Sequence, residues 1–291
     1  MLITSIEQHW SLHNAGIEAD LEGFDGRVVY QIRADEGEFV VKVGKPFYSA
    51  QEIAQELFIF DFLQSKNFRS APILLKCRDG SLFRQLPEGF AYIYHFIEGE
   101  KPTLSTDNYQ KLGELTAALH QLEDYPHLGK WSVSDVIGHI IADRTPHLPS
   151  EIKNEYLQIA ESLCAMDDLP SCLVHGDVSL SNCLETLSGE IVLIDWDGCA
   201  INARISDVGY PFLQFLSKNL VFDDEAAKAF YGAYFSVQQL TDKEFACLFD
   251  AALLPALNFI LFGCIDENWA KIKWACQRRE SLMEKIDKLR N

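Results

Sequence analysis

The sequence predicts an α+β protein of two lobes, and three observations carry that prediction. Strand-like runs crowd the first third, at residues 28–34, 38–43, 72–77, 82–85 and 90–96, with one long helical stretch among them. From about residue 97 onward the apolar residues recur at helical spacing instead. Between the two patterns lies Ile97-Glu98-Gly99-Glu100-Lys101-Pro102, which interrupts both. The expected division is therefore residues 1–96 and residues 97–291, with a hinge at about 94–99. A chain of 291 residues with 48% hydrophobic content can bury the core that this requires.

Residues 3–15 suit a short amphipathic helix, followed by a glycine-rich turn at Leu21-Glu22-Gly23-Phe24-Asp25-Gly26-Arg27. That G-x-x-G turn either lays backbone N–H groups over a phosphate or simply reverses a hairpin. Asp35-Glu36-Gly37 separates the next two strands, because glycine takes the positive φ of tight turns. Lys42, in Val40-Val41-Lys42-Val43, is the polar residue of an apolar strand and needs an exit to water or an acidic partner. A capping box at Ser49–Glu52 opens a helix to about Gln64, whose apolar side includes Ile53, Leu57, Phe60 and Leu63. Glu52 serves the cap, whereas Glu56 abuts an apolar run, which makes it the candidate partner of Lys42 or else an exposed helix glutamate.

Helices are expected at 106–122 behind Ser105 or Thr106, at 133–144 and at 150–165. The acidic run Asp223–Glu225 suits a helix N-terminus. Thr241–Glu244 is a second capping box, before an apolar buried helix at 245–262 that is kinked or broken near Pro255. The tail from about Trp269 to Leu289 reads as a terminal helix with a solvated charged face. His120 and His139 fall on helices, where histidines are more often packed or solvated than catalytic.

Twenty-five Lys and Arg against 43 Asp and Glu leave a formal charge of -18, which disfavours nucleic acid and anionic membrane surfaces as partners. The eight cysteines, at 77, 164, 172, 183, 199, 247, 264 and 276, form no C-x-x-C pair and read as buried free thiols of a reducing compartment. No basic leader followed by an apolar stretch opens the chain, and no run reaches about 18 uninterrupted apolar residues, so a cytoplasmic location is expected.

The informative stretch is Cys172–Gly198. An apolar lead-in delivers His175-Gly176-Asp177, Asn182 follows after four residues, and a second apolar run, Ile191–Ile194, ends on Asp195. A carboxylate, then an amide five positions on, then a carboxylate after a short strand is how protein kinases place a catalytic base beside two Mg²⁺ ligands. Phosphoryl transfer asks for such positioning and for charge neutralisation more than for covalent chemistry.

H-G-D-x-x-x-x-N, then I-D-W-D, then Asp207 in S-D-V-G resembles the aminoglycoside phosphotransferase and choline kinase superfamily, small-molecule kinases with a protein-kinase-like fold. Leu112–His120 resembles that family's helix ending in Leu-His, and Tyr94–Gly99 its hinge. The resemblance covers roughly residues 20–215. It implies a bilobal fold, with an antiparallel sheet and one main helix in a nucleotide-binding lobe and a mainly helical second lobe. It also implies ATP and Mg²⁺ as cofactors and a small-molecule hydroxyl as acceptor. Asp177 would be the catalytic base, Asn182 and Asp195 the metal ligands, and Lys42 with Glu56 the ion pair at the phosphates. Gly23 and Gly26 would cover the nucleotide, and backbone from Tyr94 through Phe96 to Ile97 would meet the adenine edge. His175 and Asp207 would hold the loop. Asp197 is either a second metal or substrate contact or a solvated carboxylate.

The F-W-L-S-R-L segment of type II homoserine kinases is replaced by A-L-N-F-I-L-F-G-C-I-D, which argues against homoserine. Phe259, Phe262, Asp266, Glu267, Trp269 and Trp274 could receive a cation by charge and by aromatic faces, so an amine-bearing alcohol is the acceptor expected. The competing readings are a metal-dependent hydrolase using His175, Asp177 and Asp195, and a non-catalytic nucleotide-binding module. D-W-D in place of D-F-G, with no A-P-E, sets protein kinases aside.

Overall fold

The structure, a computed structural model, describes residues 2–21, 28–44, 50–125, 136–138, 148–163, 166–261 and 264–290; the side chains of Glu52, Gln55 and Glu56 are outside the description. The fold is α+β, and close packing divides it into two units. One takes the residues up to Glu100 together with Leu184–Ile194. The other takes most of the remainder, from Lys101 to Cys183 and from Asp195 on.

The first unit is built on an antiparallel sheet. Strands β1 (Gly16–Leu21), β2 (Val28–Ala34), β3 (Gly37–Gly44), β4 (Leu74–Leu75), β5 (Arg84–Leu86) and β6 (Gly89–His95) are ordered β1-β2-β3-β6-β4, with β5 also on β6. Alternation on β3 decides which residues enter the core. Phe39, Val41 and Val43 are buried with Ile32, Ala91 and Ile93, in one cluster with Ile6 of α1 (Leu2–His9) and Trp10 just past its end. The same period puts Lys42 on the opposite face, opposite Val29 on β2 and Tyr92 on β6. Helix α2 (Ala50–Ser65) buries Ile53, Leu57, Phe60 and Leu63, the stripe its spacing foretold. A second small sheet, in which β7 (Gly99–Glu100), β9 (Cys183–Thr186) and β10 (Ile191–Leu193) lie in the order β10-β9-β7, was not expected. Gly99 is needed there, because a Cβ on it would lie 2.6 Å from the Glu185 carbonyl oxygen.

The second unit is helical. Helix α3 (Thr106–His120) starts on Ser105, whose hydroxyl accepts the Asn108 N–H at 3.2 Å, and α4 spans Ser150–Ser162. Helix α5 (Ile205–Gly209) is a short turn of five residues. Asp223 caps α6 (Asp224–Val237), and Thr241 and Glu244 cap α7 (Asp242–Leu261) reciprocally. Pro255 does not end α7, which continues to Leu261. By length and composition α7 could cross a membrane; here Leu248, Phe249, Leu253 and Leu257 place it in the core.

Two expectations need correction. The single terminal helix is instead α8 (Ile265–Cys276) and α9 (Arg279–Asp287), since Arg278, at φ −121°, leaves the helical region between them. Cys247 is disulfide-bonded, and Cys264 and Cys276 are exposed, so the cysteines are not uniformly free or buried; Cys77, Cys172, Cys183, Cys199, Cys264 and Cys276 are free. The absence of C-x-x-C spacing excludes that one motif and carries no information about pairs at other separations. Of the helix expected at 133–144, only residues 136–138 are described, and they are helical.

Candidate active site

The site hangs from a two-stranded ribbon. In β8 (Ser171–Val174) the residues Cys172, Leu173 and Val174 are buried, and the strand pairs antiparallel with β11 (Ala200–Ala203), Val174 standing opposite Ala200. The end of β8 and the start of β11 are therefore neighbours, and the loops 175–182 and 195–199 leave from the same place. Gly176 locks them together. Its φ is +85°, and a Cβ there would lie 2.3 Å from the Gly198 carbonyl oxygen, so no other residue fits.

Asp207 holds the first loop from beneath. Fully buried, it accepts the His175 N–H at 2.7 Å on Oδ2 and the Gly176 N–H at 2.8 Å on Oδ1. His120 Nε2 faces the same Oδ2 at 3.2 Å, while its Nδ1 meets the Tyr234 hydroxyl at 2.9 Å. His120, which helical position alone left as a packing residue, is thus part of the support beneath the loop. His175 is also fully buried. Its Nδ1 accepts the Asp177 N–H at 3.3 Å, and its ring meets Trp196 edge-on at 4.7 Å.

Asp177 lies above that support. Burial pushes its carboxyl above the usual carboxylate range, the more so beside Asp195; hydrogen bonds from Tyr210 and Asn182 and the nearby His175 oppose the rise. Asn182 also donates its amide N–H to the Asp177 carbonyl oxygen at 3.0 Å, and its backbone N–H to Ser179 Oγ at 3.2 Å. With the amide nitrogen so engaged, its oxygen is the atom left for a cation. Asp195 is exposed and takes a left-handed conformation, φ 64° and ψ 62°, before the turn Trp196–Gly198. A non-glycine residue there costs on the order of 1–3 kcal/mol, the kind of strain that collects at functional positions. Asp197 is exposed in that turn.

The sequence reading missed Tyr210. Set in an apolar Tyr-Pro-Phe run, it reads as core, yet its hydroxyl bonds the Asp177 carboxylate; burial, and then that carboxylate, push the phenol far above its ordinary range. Because that bond lowers the Asp177 pKa, Tyr210→Phe should raise it. The acid limb of the pH–rate profile should then move to higher pH, and an unmoved limb would show that the hydroxyl does not tune the carboxylate.

The loop opens on a cavity of about 350 Å³ within the second unit, whose wall includes Asp177, Asn182, Tyr210, Gln214, Phe259 and Lys271. Not every expected acceptor residue faces it. Trp274 is not in that wall: it stacks on Phe222 at 6.2 Å and carries Arg278 over its ring at 4.6 Å. Glu267 pairs with Lys271 at 2.9 Å, and Phe262 lies outside the described residues.

In the first unit, Lys42 is half-buried on β3 and is not without partners. The proposed partner side chain, Glu56 on α2, and both Gly23 and Gly26 lie outside the described residues. Tyr94 is buried between Val40 of β3 and Leu74 of β4. The next two backbone N–H groups are also used inside the sheet, His95 on the Ile73 carbonyl and Phe96 on that of Glu38, at 2.9 and 3.0 Å. Any backbone donor offered here to an adenine edge would therefore come after Phe96.

The model of the phosphotransferase enzyme family, APH, matches residues 16–247. The chain belongs to that family. Its fold is that of solved small-molecule kinases. The amicoumacin kinase hAmiN, in complex with AMP-PNP, Ca²⁺ and Ami, is 18% identical with a TM-score of 0.69, over 98% of this chain and 93% of that one. A microcompartment-associated aminopropanol kinase is 18% identical with a TM-score of 0.67, over 97% and 98%. The choline kinase LicA from Streptococcus pneumoniae is 14% identical with a TM-score of 0.61, over 99% and 98%. The phosphotransferase thus has the protein-kinase-like α+β fold, with an antiparallel sheet in its N-terminal part and helices in its C-terminal part.

Proposed function

We propose that this phosphotransferase moves the γ-phosphoryl group of ATP to a hydroxyl of a small molecule, with Mg²⁺ as the metal. The observation that carries the reading is the placement of Asp177, a carboxylate with a raised pKa in the wall of a cavity of small-molecule size, beside Asn182 and under the influence of Asp195. In that role Asp177 orients the acceptor hydroxyl and receives its proton, for which a raised pKa is an advantage. His175, Asp207, His120 and Tyr210 keep it there.

The donor set suits the metal. One amide oxygen and one exposed carboxylate are hard oxygen ligands, as Mg²⁺ prefers, and Mg²⁺ takes few of them from protein when phosphates supply the rest. Asn182 and Asp195 would hold it, and when bound it neutralises charge on the phosphates. Lys42 is the candidate to steady the α- and β-phosphates, braced by Glu56, and Asp197 the candidate for a further metal or substrate contact.

Thermal denaturation with and without MgATP tests this. Ligand at a hundred times its Kd adds about 2.7 kcal/mol to stability. The wild-type melting temperature should therefore rise by several degrees, and Asp195→Ala should abolish the rise. A rise that survives Asp195→Ala would remove that residue from the metal site. The names of the aminopropanol and choline kinases support an amine-bearing acceptor. The cavity's own charges support another.

A further inference from the structure

We infer that the acceptor is an alcohol carrying a carboxylate, which Lys271 receives while Asp177 receives the hydroxyl. The inference rests on the phosphotransfer reading and sharpens it. Among the described residues of the cavity wall only two are charged, Asp177 and Lys271; the polar remainder is neutral, namely Tyr109, Ser179, Ser181, Asn182, Tyr210 and Gln214. A cationic acceptor would need a carboxylate to meet its charge. The one in the wall is Asp177, and in phosphotransfer that group faces the hydroxyl.

Lys271 is not a solvated surface lysine. Its side chain is only 16% exposed, held on α8 by the i,i+4 contact to Glu267, which is 48% exposed. Glu267 does not cancel the site. An ammonium has three donors, of which this pair uses one, and Lys218 also acts on Glu267, so one carboxylate stands against two ammonium groups. A third, Lys101, bonds the carbonyl of Ser181, another wall residue. Of the acids that act on wall residues from outside the wall, Asp223 acts on Tyr109 but is engaged in capping α6, and Asp195 acts on Asp177 and Tyr210, at the end of the cavity where the metal would be held. The chain's overall charge of -18 does not decide the matter, since charges more than about 8–10 Å away are largely screened at physiological salt. Phe259 and Leu104 supply apolar wall for the carbon chain between the two polar ends.

The test is ADP release with three acceptors of equal length: a hydroxy acid, its amide and an amino alcohol. The MgATP melting shift is measured first on the same protein. Without that shift the phosphotransfer reading fails, and this inference with it; with the shift, the acceptor series judges the inference alone. The hydroxy acid should show a KM at least tenfold below those of the amide and the amino alcohol. Lys271→Gln should erase most of that difference, acting on KM more than on kcat. Lys271→Arg should retain it, and Lys271→Glu should turn the preference toward the amino alcohol. A wild-type enzyme that prefers the amino alcohol, that turns over none of the three, or that prefers a phosphorylated alcohol to the acid would overturn the assignment. So would a Lys271→Gln enzyme that discriminates as the wild type does.

Discussion

Asp177→Asn should lower phosphoryl transfer by roughly 10²- to 10⁴-fold, the range for loss of a general base, and should leave the MgATP melting shift in place. It should also melt no lower than the wild type at neutral pH. Burial raises the Asp177 carboxyl above its ordinary value, so the folded state favours the protonated group. The stability this contributes is fully present below the unfolded pKa of about 3.9 and is lost as pH rises through the higher folded value. At pH 7 the wild type therefore holds a carboxylate where burial disfavours charge, and the amide removes that burden. The difference in melting temperature between variant and wild type should shrink as pH falls toward 4. Kinetics and calorimetry together check this, since a residue of merely structural importance would lose stability and activity together. Turnover unchanged in Asp177→Asn would end the mechanism.

Asp207→Ala should produce the largest loss of stability of any single change at the site. The fully buried carboxylate accepts from two backbone N–H groups and faces a buried imidazole. Its removal leaves those donors without an acceptor in the interior, and such losses amount to about 3–5 kcal/mol. Against a typical total of roughly 5–15 kcal/mol, that lowers the melting temperature by on the order of 10 °C. Asp207→Asn, which keeps one acceptor oxygen, should fall between the two. Urea denaturation of the three proteins measures it; a loss below about 1 kcal/mol for the alanine variant would mean that water or a shifted side chain takes over the bonds.

That Asp177, Asn182 and Asp195 come together was legible because it depends on residue type at fixed spacing along one stretch. The surroundings were legible only where a periodic pattern exposed them. The α2 stripe and the Thr241–Glu244 box are local patterns and could be read. The sheet of β7, β9 and β10 could not, because strands of two to four residues are too short to show alternation. Tyr210 was hidden by apolar neighbours that resemble core. His120 is packed, as expected of a helical histidine, but its contact with Asp207, 87 positions away in the chain, has no local signature. Lys271 shares α8 with charges that are solvated, and periodicity does not distinguish a covered lysine from an exposed one. The conformation of Asp195 has no signature beyond the mild tolerance of aspartate for positive φ.

The pairing of β8 with β11 has a bearing on how such an enzyme changes. Asp177, Asn182 and Asp195 all leave from one end of that ribbon, whereas Phe259 and Lys271 reach the cavity from α7 and α8, and Leu104 and Gln214 from elsewhere again. Substitutions on those outlying segments can alter what enters the cavity while the ribbon holds the reacting groups at constant spacing. Selection can then explore new acceptors one wall residue at a time, without first rebuilding the machinery that transfers the phosphate.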